Sequence, residues 1–374
     1  MRRRLESIEI PGETEARRRA WSVVFVSFAD RQPVERPSRR LRVALAVAIV
    51  ATALAAVLSP PGQAVLDEIR QTVGIDRAQP ALFSLPSPGQ LLVASDAGIW
   101  VVQENGSKRL LGPYREASWS PFGRFVVAAR ENELAALESA GDVRWTLSRP
   151  GVRFPRWTGT ERDTRIAYVD RTGIRVVAGD GTGDRLVVPG ARGPIAWQPR
   201  AGFVLAFADP RGRVLLIDTG SADVLWRGNR DGRVVALEWS SDGRRLVALR
   251  TQARDDISVY TARGALFTGF RALRGAVSAV AVEPQSHEQA VAVVTNGRSQ
   301  LLMPGVRRSA LSGPGALEQL AWSPDGRWLL VGWPSADQWV FVRADGNRIR
   351  AVSNVAEQFR SGSFPRVEGW CCSP

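Results

Sequence analysis

The sequence is poor in the side chains that most catalytic and metal sites use. It contains one histidine, His287, and two cysteines, Cys371 and Cys372, in 374 residues. A structural zinc site needs about four Cys or His ligands, so a zinc site of that kind is excluded. A Ser or Cys nucleophile usually needs a histidine base. His287 lies in a predicted turn beside Glu288, where a surface position is the better interpretation. We predict no catalytic residue, no metal and no cofactor.

Lysine is almost absent as well. Lys108 is the only one, and the other 49 of the 50 basic residues are arginine. The formal net charge is +13. A bias this strong is typical of genome composition, and no nucleic-acid recognition motif accompanies it. We therefore predict no nucleic-acid partner.

Two further patterns fall short of a functional site. No G-x-S-x-G nucleophile motif occurs in the chain. The sequence GDGTGD at 179–184 places Asp180 and Asp184 among glycines, but it lacks the number of ligands that a calcium loop needs. A β-turn is the better interpretation of this segment.

A hydrophobic run near the N-terminus predicts a membrane anchor. Residues 43–58, VALAVAIVATALAAVL, contain no charged side chain. As a helix they span about 24 Å, and Leu41 and Ser59 extend them toward the ~30 Å of a hydrocarbon core. A buried core helix would show a polar face, and a cleaved signal peptide would follow a short basic segment. We predict a single transmembrane helix over residues 41–59.

The flanking charges predict the orientation of this helix. Residues 1–42 hold 11 arginines and 6 acidic residues, and the basic flank of a span stays in the cytoplasm. Residues 1–40 are therefore predicted to be a basic cytoplasmic segment, with everything after Leu58 outside. Within it, residues 13–31 have the spacing of an amphipathic helix, which either lies on the membrane or binds a cytoplasmic protein. Residues 60–89 combine a short amphipathic helix with a proline-rich linker.

From residue 90 onward, one phrase recurs. Its clearest copies are EASWSPFGRFVVAAR (116–130), PIAWQPRAGFVLAFAD (194–209), ALEWSSDGRRLVALR (236–250) and QLAWSPDGRWLLVGW (319–333). The aromatic position is held in turn by Trp119, Trp157, Trp197, Trp239, Val282, Trp322 and Trp370. The spacings of 38, 40, 42, 43, 40 and 48 residues, with several strands per unit, predict β-propeller blades.

The two ends of the repeat region complete each other. Residues 90–112 contain three strands without a leading tryptophan strand, and residues 366–371 are one leading strand with nothing after it. Together they make one blade. We predict an all-β, seven-bladed propeller over residues 90–374, closed by one C-terminal strand against three N-terminal strands. Trp370 then lies at the closure, which removes unpaired strand edges.

The sequence Trp-Ser-Pro-Asp-Gly at 322–326, followed by a hydrophobic strand, resembles the repeats of bacterial TolB-like and WD40-like propeller proteins. The resemblance covers roughly residues 90–372. The sequence lacks the Gly-His and Trp-Asp dipeptides of WD40 blades. Its predicted membrane anchor also distinguishes it from a freely soluble periplasmic propeller. The resemblance implies the fold, whereas propellers host many functions.

The loops that enter the inner strands are predicted to gather at one mouth of the channel. Six of the seven contain an arginine, and the loop at 313–319 does not. A solvated basic rim is one interpretation, and a binding surface is the other. The candidate binding residues are Tyr114, Arg115, Arg153, Phe154, Arg156, Arg192, Arg230, Arg233, Arg274, Phe364 and Arg366.

The sequence is compatible with two redox states of Cys371 and Cys372. Adjacent Cα atoms lie ~3.8 Å apart, below the usual disulfide range of about 4.4–6.8 Å. The side chains of an extended strand point apart, but the chain bends after the aromatic position of each repeat. Outside the membrane oxidation is permitted, so a vicinal disulfide and two packed thiols are both retained.

These features favour a non-catalytic binding or scaffold protein that recognises a protein, a peptide or an anionic envelope polymer. A transmembrane signal transducer is the alternative, because the layout resembles that of membrane-spanning anti-sigma regulators. Residues 1–42 contain neither Cys nor His, so the zinc-type cytoplasmic signature is absent. A hydrolase that acts at the channel mouth is a third possibility.

Overall fold

The structure is a computed structural model that describes residues 84–372, except residues 161, 253–255 and 271–274. The predicted cytoplasmic segment, the transmembrane helix over 41–59 and nearly all of the segment 60–89 lie outside the described residues. Within the part that the structure describes, no helix has the length and apolarity needed to cross a membrane.

The described strands form seven antiparallel four-stranded sheets, the blades of one propeller. From the inside outward, blade 1 contains β28 (Arg366–Cys371), β1 (Gln90–Ser95), β2 (Gly98–Val102) and β3 (Lys108–Gly112). Blade 2 contains β4 (Glu116–Trp119), β5 (Phe125–Arg130), β6 (Glu133–Glu138) and β7 (Val143–Ser148). Blade 3 contains β8 (Arg153–Gly159), β9 (Thr164–Val169), β10 (Gly173–Ala178) and β11 (Arg185–Pro189).

The remaining blades follow the same order. Blade 4 contains β12 (Ile195–Trp197), β13 (Val204–Ala208), β14 (Arg213–Asp218) and β15 (Val224–Arg230). Blade 5 contains β16 (Arg233–Trp239), β17 (Arg245–Thr251), β18 (Ile257–Thr261) and β19 (Leu266–Phe270). Blade 6 contains β20 (Ala276–Val282), β21 (Gln289–Thr295), β22 (Arg298–Leu302) and β23 (Leu311–Pro314). Blade 7 contains β24 (Glu318–Trp322), β25 (Trp328–Trp333), β26 (Gln338–Arg343) and β27 (Ile349–Ser353).

Among the described residues, two short helices interrupt the strands. A 3-10 helix at Pro334–Ala336 joins β25 to β26, and α1 (Val355–Gln358) follows β27. Val355 and Phe359 are buried against blades 7 and 1, so α1 covers the outer part of that interface.

The hydrophobic core lies between the blades. Seven clusters of buried side chains occur, and each joins two neighbouring blades. A single four-stranded sheet has two apolar faces, so radial stacking is what removes both faces from water. The predicted aromatic positions all contribute to the cluster shared with the preceding blade: Trp119, Trp157, Trp197, Trp239, Val282, Trp322 and Trp370.

The predicted closure is confirmed. β28 pairs with β1, with Leu91 opposite Trp370 and Gln90 opposite Cys371. Trp370 is buried in the cluster between blades 7 and 1, where its ring meets that of Phe341 edge-on at 5.7 Å between centroids. The last strand therefore supplies both the inner edge of blade 1 and part of the core shared with blade 7.

The Ser-Pro-Asp-Gly phrase builds the turn between the first and second strands of a blade. Ser323 Oγ donates to Asp325 Oδ1 at 2.6 Å, and the backbone N–H of Trp328 donates to Ser323 Oγ at 3.0 Å. Ser240 and Asp242 repeat the first bond at 2.5 Å in blade 5. The hydroxyl and carboxylate satisfy groups that the strands leave unpaired. The recurrence of the phrase is thus explained by structure rather than by ligand binding.

Candidate functional site

The seven inner strands surround a channel on the axis of the propeller. A cavity of about 400 Å³ lies in it, lined by side chains from β4, β8, β16, β20, β24 and β28. The lining combines apolar residues with four polar side chains, those of Ser118, Arg156, Glu238 and Glu368. Polar groups that converge in a cavity are a common feature of ligand sites.

Glu238 is a carboxyl group of the channel whose ionisation is perturbed by burial. It lies immediately before Trp239 on β16, and the backbone N–H of Val282 donates to its Oε1 at 3.1 Å. Burial raises the pKa of Glu238 to about 7, and the single hydrogen bond from Val282 only partly opposes the rise. Near neutral pH, the carboxyl group is therefore poised between its charged and neutral forms.

At one mouth of the channel, β28 places an ion pair. Arg366 Nη2 lies 2.7 Å from Glu368 Oε1 and also donates to the backbone oxygen of Arg115 at 2.9 Å. The Glu368 side chain is 10% exposed, whereas that of Arg366 is 53% exposed. Burial raises the pKa of Glu368 above its ordinary value, and the positive charges of Arg366 and Arg156 oppose this. The pair joins blade 1 to blade 2.

A second carboxylate ties blade 2 to blade 3. Glu116 Oε1 accepts a hydrogen bond from Arg153 Nε at 3.4 Å, and Glu116 Oε2 accepts one from the backbone N–H of Phe154. The Arg153 guanidinium also lies 5.0 Å from the centre of the Phe154 ring. Together these residues form what we call the mouth cluster: Arg115, Glu116, Arg153, Phe154, Arg156, Arg366 and Glu368.

The other predicted rim residues lie apart from the mouth cluster. Tyr114 is 6% exposed and packs in the core between blades 1 and 2, so its ring is a packing element. Phe364 is half-buried against the core between blades 7 and 1. Exposed positions on blades 4 and 5 are held by Arg192, Arg230 and Arg233. Arg274 lies outside the described residues.

The carboxylates of the mouth are the charged groups that the sequence analysis missed. Counting arginines predicted a basic rim, but Glu116 and Glu368 neutralise part of that charge. A signal was present: EASW, LEW and VEGW each place a glutamate one to three residues before the aromatic position. Inner-strand residues next to the buried tryptophan face the channel or its mouth, so an acidic residue there marks the channel.

The single histidine lies beside a serine and an aspartate. His287 Nδ1 is 3.3 Å from Ser241 Oγ, and His287 Nε2 is 3.6 Å from Asp242 Oδ2. However, Ser241 Oγ lies within hydrogen-bonding distance of the Pro284 carbonyl oxygen, which takes its only proton. The hydroxyl proton is thus directed away from the imidazole, whereas a nucleophilic serine needs it directed toward the base. The contact ties the turn of blade 6 to that of blade 5.

The segment 179–184 forms a turn with a buried ionic contact. Asp180 Oδ1 accepts hydrogen bonds from the N–H and Oγ1 of Thr182. Asp184 accepts from Arg149 on blade 2 and from Arg175 and Tyr168 on blade 3. The oxygens of Asp184 are therefore occupied by protein donors, which leaves them unsuited to a calcium ion.

The two cysteines form a disulfide at the end of β28 in this structure. Their Cα atoms are 3.7 Å apart, and Cys372 has a φ of +51°, which is the bend that the repeat predicted. The side chain of Cys372 packs on Gly123, where an added Cβ would lie 2.7 Å from the Cβ of Cys372. The side chain of Cys372 thus packs against the turn that follows the first strand of blade 2.

Comparison with known proteins supports the fold and leaves the function open. No protein-family model matches the sequence, and no curated protein aligns with it significantly. Among solved structures, the β-propeller domain of Cps50 (Swd1) from Myceliophteria thermophila is similar, with a TM-score of 0.50 and 15% identity; the match covers 72% of this chain and 97% of that one. Hydrazine synthase of Kuenenia stuttgartiensis matches with a TM-score of 0.49 and 13% identity over 72% of this chain and 81% of that one. At such identities, the likeness concerns the fold alone.

Proposed function

We propose that the protein is a non-catalytic binding propeller, anchored by residues 41–59 with the propeller outside the cytoplasm, and that the mouth cluster recognises a protein or peptide. The observation that carries the recognition part is the mouth cluster itself. Exposed arginine side chains from three consecutive blades surround two carboxylates and the half-buried ring of Phe154.

A mixed-charge mouth fits a protein better than an anionic polymer. Arg153 and Arg366 each pair with a glutamate, so the mouth offers both signs of charge within a short distance. Interfaces between proteins combine aromatic and arginine side chains with a polar rim. A polyanion would instead favour a surface of unpaired positive charge.

Recognition at the mouth is tested by photo-crosslinking in intact cells. A photoreactive amino acid is placed at position 115 or 153, and the control carries it at position 200, an exposed position in a turn on the opposite face of blade 4. We expect the same discrete protein adduct from positions 115 and 153 and none from position 200. Equal adducts from all three positions, or none from the mouth, would contradict the proposal.

The location is tested separately by adding protease to intact cells. We expect the propeller to be degraded, while a cytoplasmic marker protein survives. A propeller that is cut in lysates but untouched in intact cells would place it on the cytoplasmic side.

A further inference from the structure

A cleft lies between blades 2 and 3. It has a volume of about 750 Å³, within the usual range for small-ligand sites. It lies on the turns that follow the inner strands, whereas the mouth cluster lies on the segments that precede them, so the two are on opposite faces. The lining residues that matter here are Phe122, Arg124, Phe125, Arg144, Trp145 and Trp157.

Aromatic rings form the floor of the cleft. Phe125 of blade 2 and Trp157 of blade 3 are nearly parallel, with 17° between the ring planes and 6.1 Å between centroids. Trp145 Nε1 donates to the backbone oxygen of Gly179 at 2.9 Å, which fixes its ring between the two blades. The cleft therefore offers flat apolar surface whose position is set by both neighbouring blades.

Charged and hydroxyl groups surround this floor. The guanidinium carbons of Arg124 and Arg144 lie 5.1 Å and 6.0 Å from the centre of the Phe125 ring. Arg144 also pairs with Glu138 at 3.3 Å, whereas Arg124 has no carboxylate within 4.0 Å among the residues that the structure describes. Thr160, Thr164 and Asp180 also line the cleft. The walls thus hold donors and acceptors together with one positive charge that is not paired.

Phe122 occupies the turn position at which blades 5 and 7 have an aspartate. Where Asp325 and Asp242 accept hydrogen bonds that hold the turns of blades 7 and 5, blade 2 has Phe122, which is unable to accept them. Its side chain is 54% exposed at the edge of the cleft. An exposed aromatic residue in place of a stabilising one is unfavourable for folding alone, and such departures from local rules occur at functional positions.

We propose that this cleft binds a saccharide unit that carries a carboxylate. A pyranose ring presents C–H groups on its faces and hydroxyl groups around its edge, so it matches an aromatic floor with donors and acceptors in the walls. A carboxylate on that ring matches the unpaired guanidinium of Arg124, because a charge-assisted hydrogen bond is stronger than a neutral one. The cleft shares no residue with the mouth cluster, so this proposal stands or falls independently of the function proposed above.

The test is titration of the full-length protein in detergent, followed by calorimetry, with uronic acid trisaccharides as probes. Galacturonate, glucuronate and mannuronate trisaccharides are each compared with their methyl esters, which keep the ring and remove the charge. We expect at least one acid to bind, and its ester to bind roughly 10- to 100-fold more weakly, which is the loss expected for one charge-assisted hydrogen bond. If no acid binds, or if acid and ester bind equally, the proposal is overturned.

Three variants assign the binding to this cleft. Arg124→Gln should abolish the preference for acid over ester. Phe122→Asp, which restores the turn sequence of blades 5 and 7, should weaken binding about tenfold or more without lowering the melting temperature. Phe267→Ala is the control, because it removes another exposed phenylalanine, 62% exposed on blade 5, and should leave binding unchanged.

Two outcomes of the variant series would contradict the proposal. Binding that is unaffected by both Arg124→Gln and Phe122→Asp would place the saccharide elsewhere. Equal binding of triglutamate, dependent on Arg124 but not on Phe122, would show a simple anion site without saccharide recognition.

Discussion

At the scale of single residues, Glu238 shows how burial in the propeller changes the chemistry of a side chain. An isolated glutamate ionises near 4.5, and burial in the channel raises the pKa of Glu238 to about 7. Between these values the folded protein holds a proton that the unfolded chain releases. The free energy of unfolding therefore falls as the pH rises from about 4.5 to about 7, and this contribution is lost above that range.

Replacing Glu238 by glutamine tests this directly. Glutamine resembles the neutral form and does not ionise, so Glu238→Gln should lose the pH-dependent decrease. Relative to the unmodified protein, we expect the variant to gain about 1–2.5 kcal/mol from pH 5 to pH 8. The upper value follows from the raised pKa over this pH range, and the lower allows for access of water to the channel. The measurement is urea unfolding at each pH. Parallel stability curves for the two proteins would contradict the assigned pKa.

Two kinds of buried residue show which positions of the core could be predicted from the sequence and which could not. The aromatic positions were predicted because a buried tryptophan recurs at a fixed place in each repeat. Arg250 shows the limit: it is 1% exposed and donates to the Gly212 carbonyl and to the Tyr260 hydroxyl. Nothing distinguishes it in sequence from 48 other arginines, because its partners come from the next strand of its own blade and from a turn of blade 4, which only the fold brings together.

Among the elements, a tryptophan of an outer strand fastens one blade to the next. Trp145 on β7 donates to the Gly179 carbonyl of blade 3, and Trp226 on β15 donates to the Ala262 carbonyl of blade 5 at 3.1 Å. In both cases a glycine of the receiving turn packs on the ring. Close approach of backbone to an indole requires the absence of a Cβ, which explains the glycine.

Two glycines of one turn allow the cost of displacing the indole to be distinguished from the cost of backbone strain. Gly181 and Gly183 both have positive φ, +87° and +65°, but an added Cβ at 181 would lie 2.9 Å from the Trp145 ring, whereas at 183 it meets nothing within 4 Å. Gly183→Ala should cost about 1 kcal/mol through backbone strain. Gly181→Ala should cost about 2–3 kcal/mol, because it also displaces Trp145.

The comparison is made by denaturant unfolding, first in the natural chain and then with Trp145→Ala present. If the indole contact is responsible, the difference between the two alanine variants should shrink in the second background, as a double-mutant cycle shows. If the difference in unfolding free energy between the two alanine variants persisted unchanged, its cause would be the backbone conformation and not the contact with Trp145.

Element boundaries were well predicted where turn chemistry repeats. The Ser-Pro-Asp-Gly phrase and its variants located the turns after the inner strands of blades 2, 4, 5 and 7. In blades 5 and 7 the hydroxyl and the carboxylate of the phrase have a local role in the turn. The cleft between blades 2 and 3 was not predicted, although Phe122 was visible as a departure from the phrase. Its other walls come from turns of two blades about 20 to 60 residues apart, and their proximity follows from radial stacking rather than from local sequence.

For the whole molecule, the repeat period and the strand count at the two ends were enough to predict seven blades and the closing strand. They were sufficient because every sheet face and every strand edge of a closed propeller must be covered, so the number of repeats and of terminal strands determines how the ring closes. Ligand chemistry is not constrained in this way. The mouth cluster and the cleft depend on which side chains interrupt the repeat, so the sequence predicted the mouth incompletely and the cleft not at all.

Ring closure by β28 is the claim on which the channel, the mouth cluster and the position of blade 1 against blade 7 all depend. Its most direct test is thermal unfolding of the full chain beside a chain that ends at Arg366. Loss of Trp370 alone should cost on the order of 3–5 kcal/mol, against a total stability of about 5–15 kcal/mol for a domain. We predict that the shortened chain melts at a much lower temperature or aggregates, while a chain that lacks only Ser373 and Pro374 melts with the full chain. An unchanged melting temperature for the chain ending at Arg366 would contradict closure by the C-terminal strand.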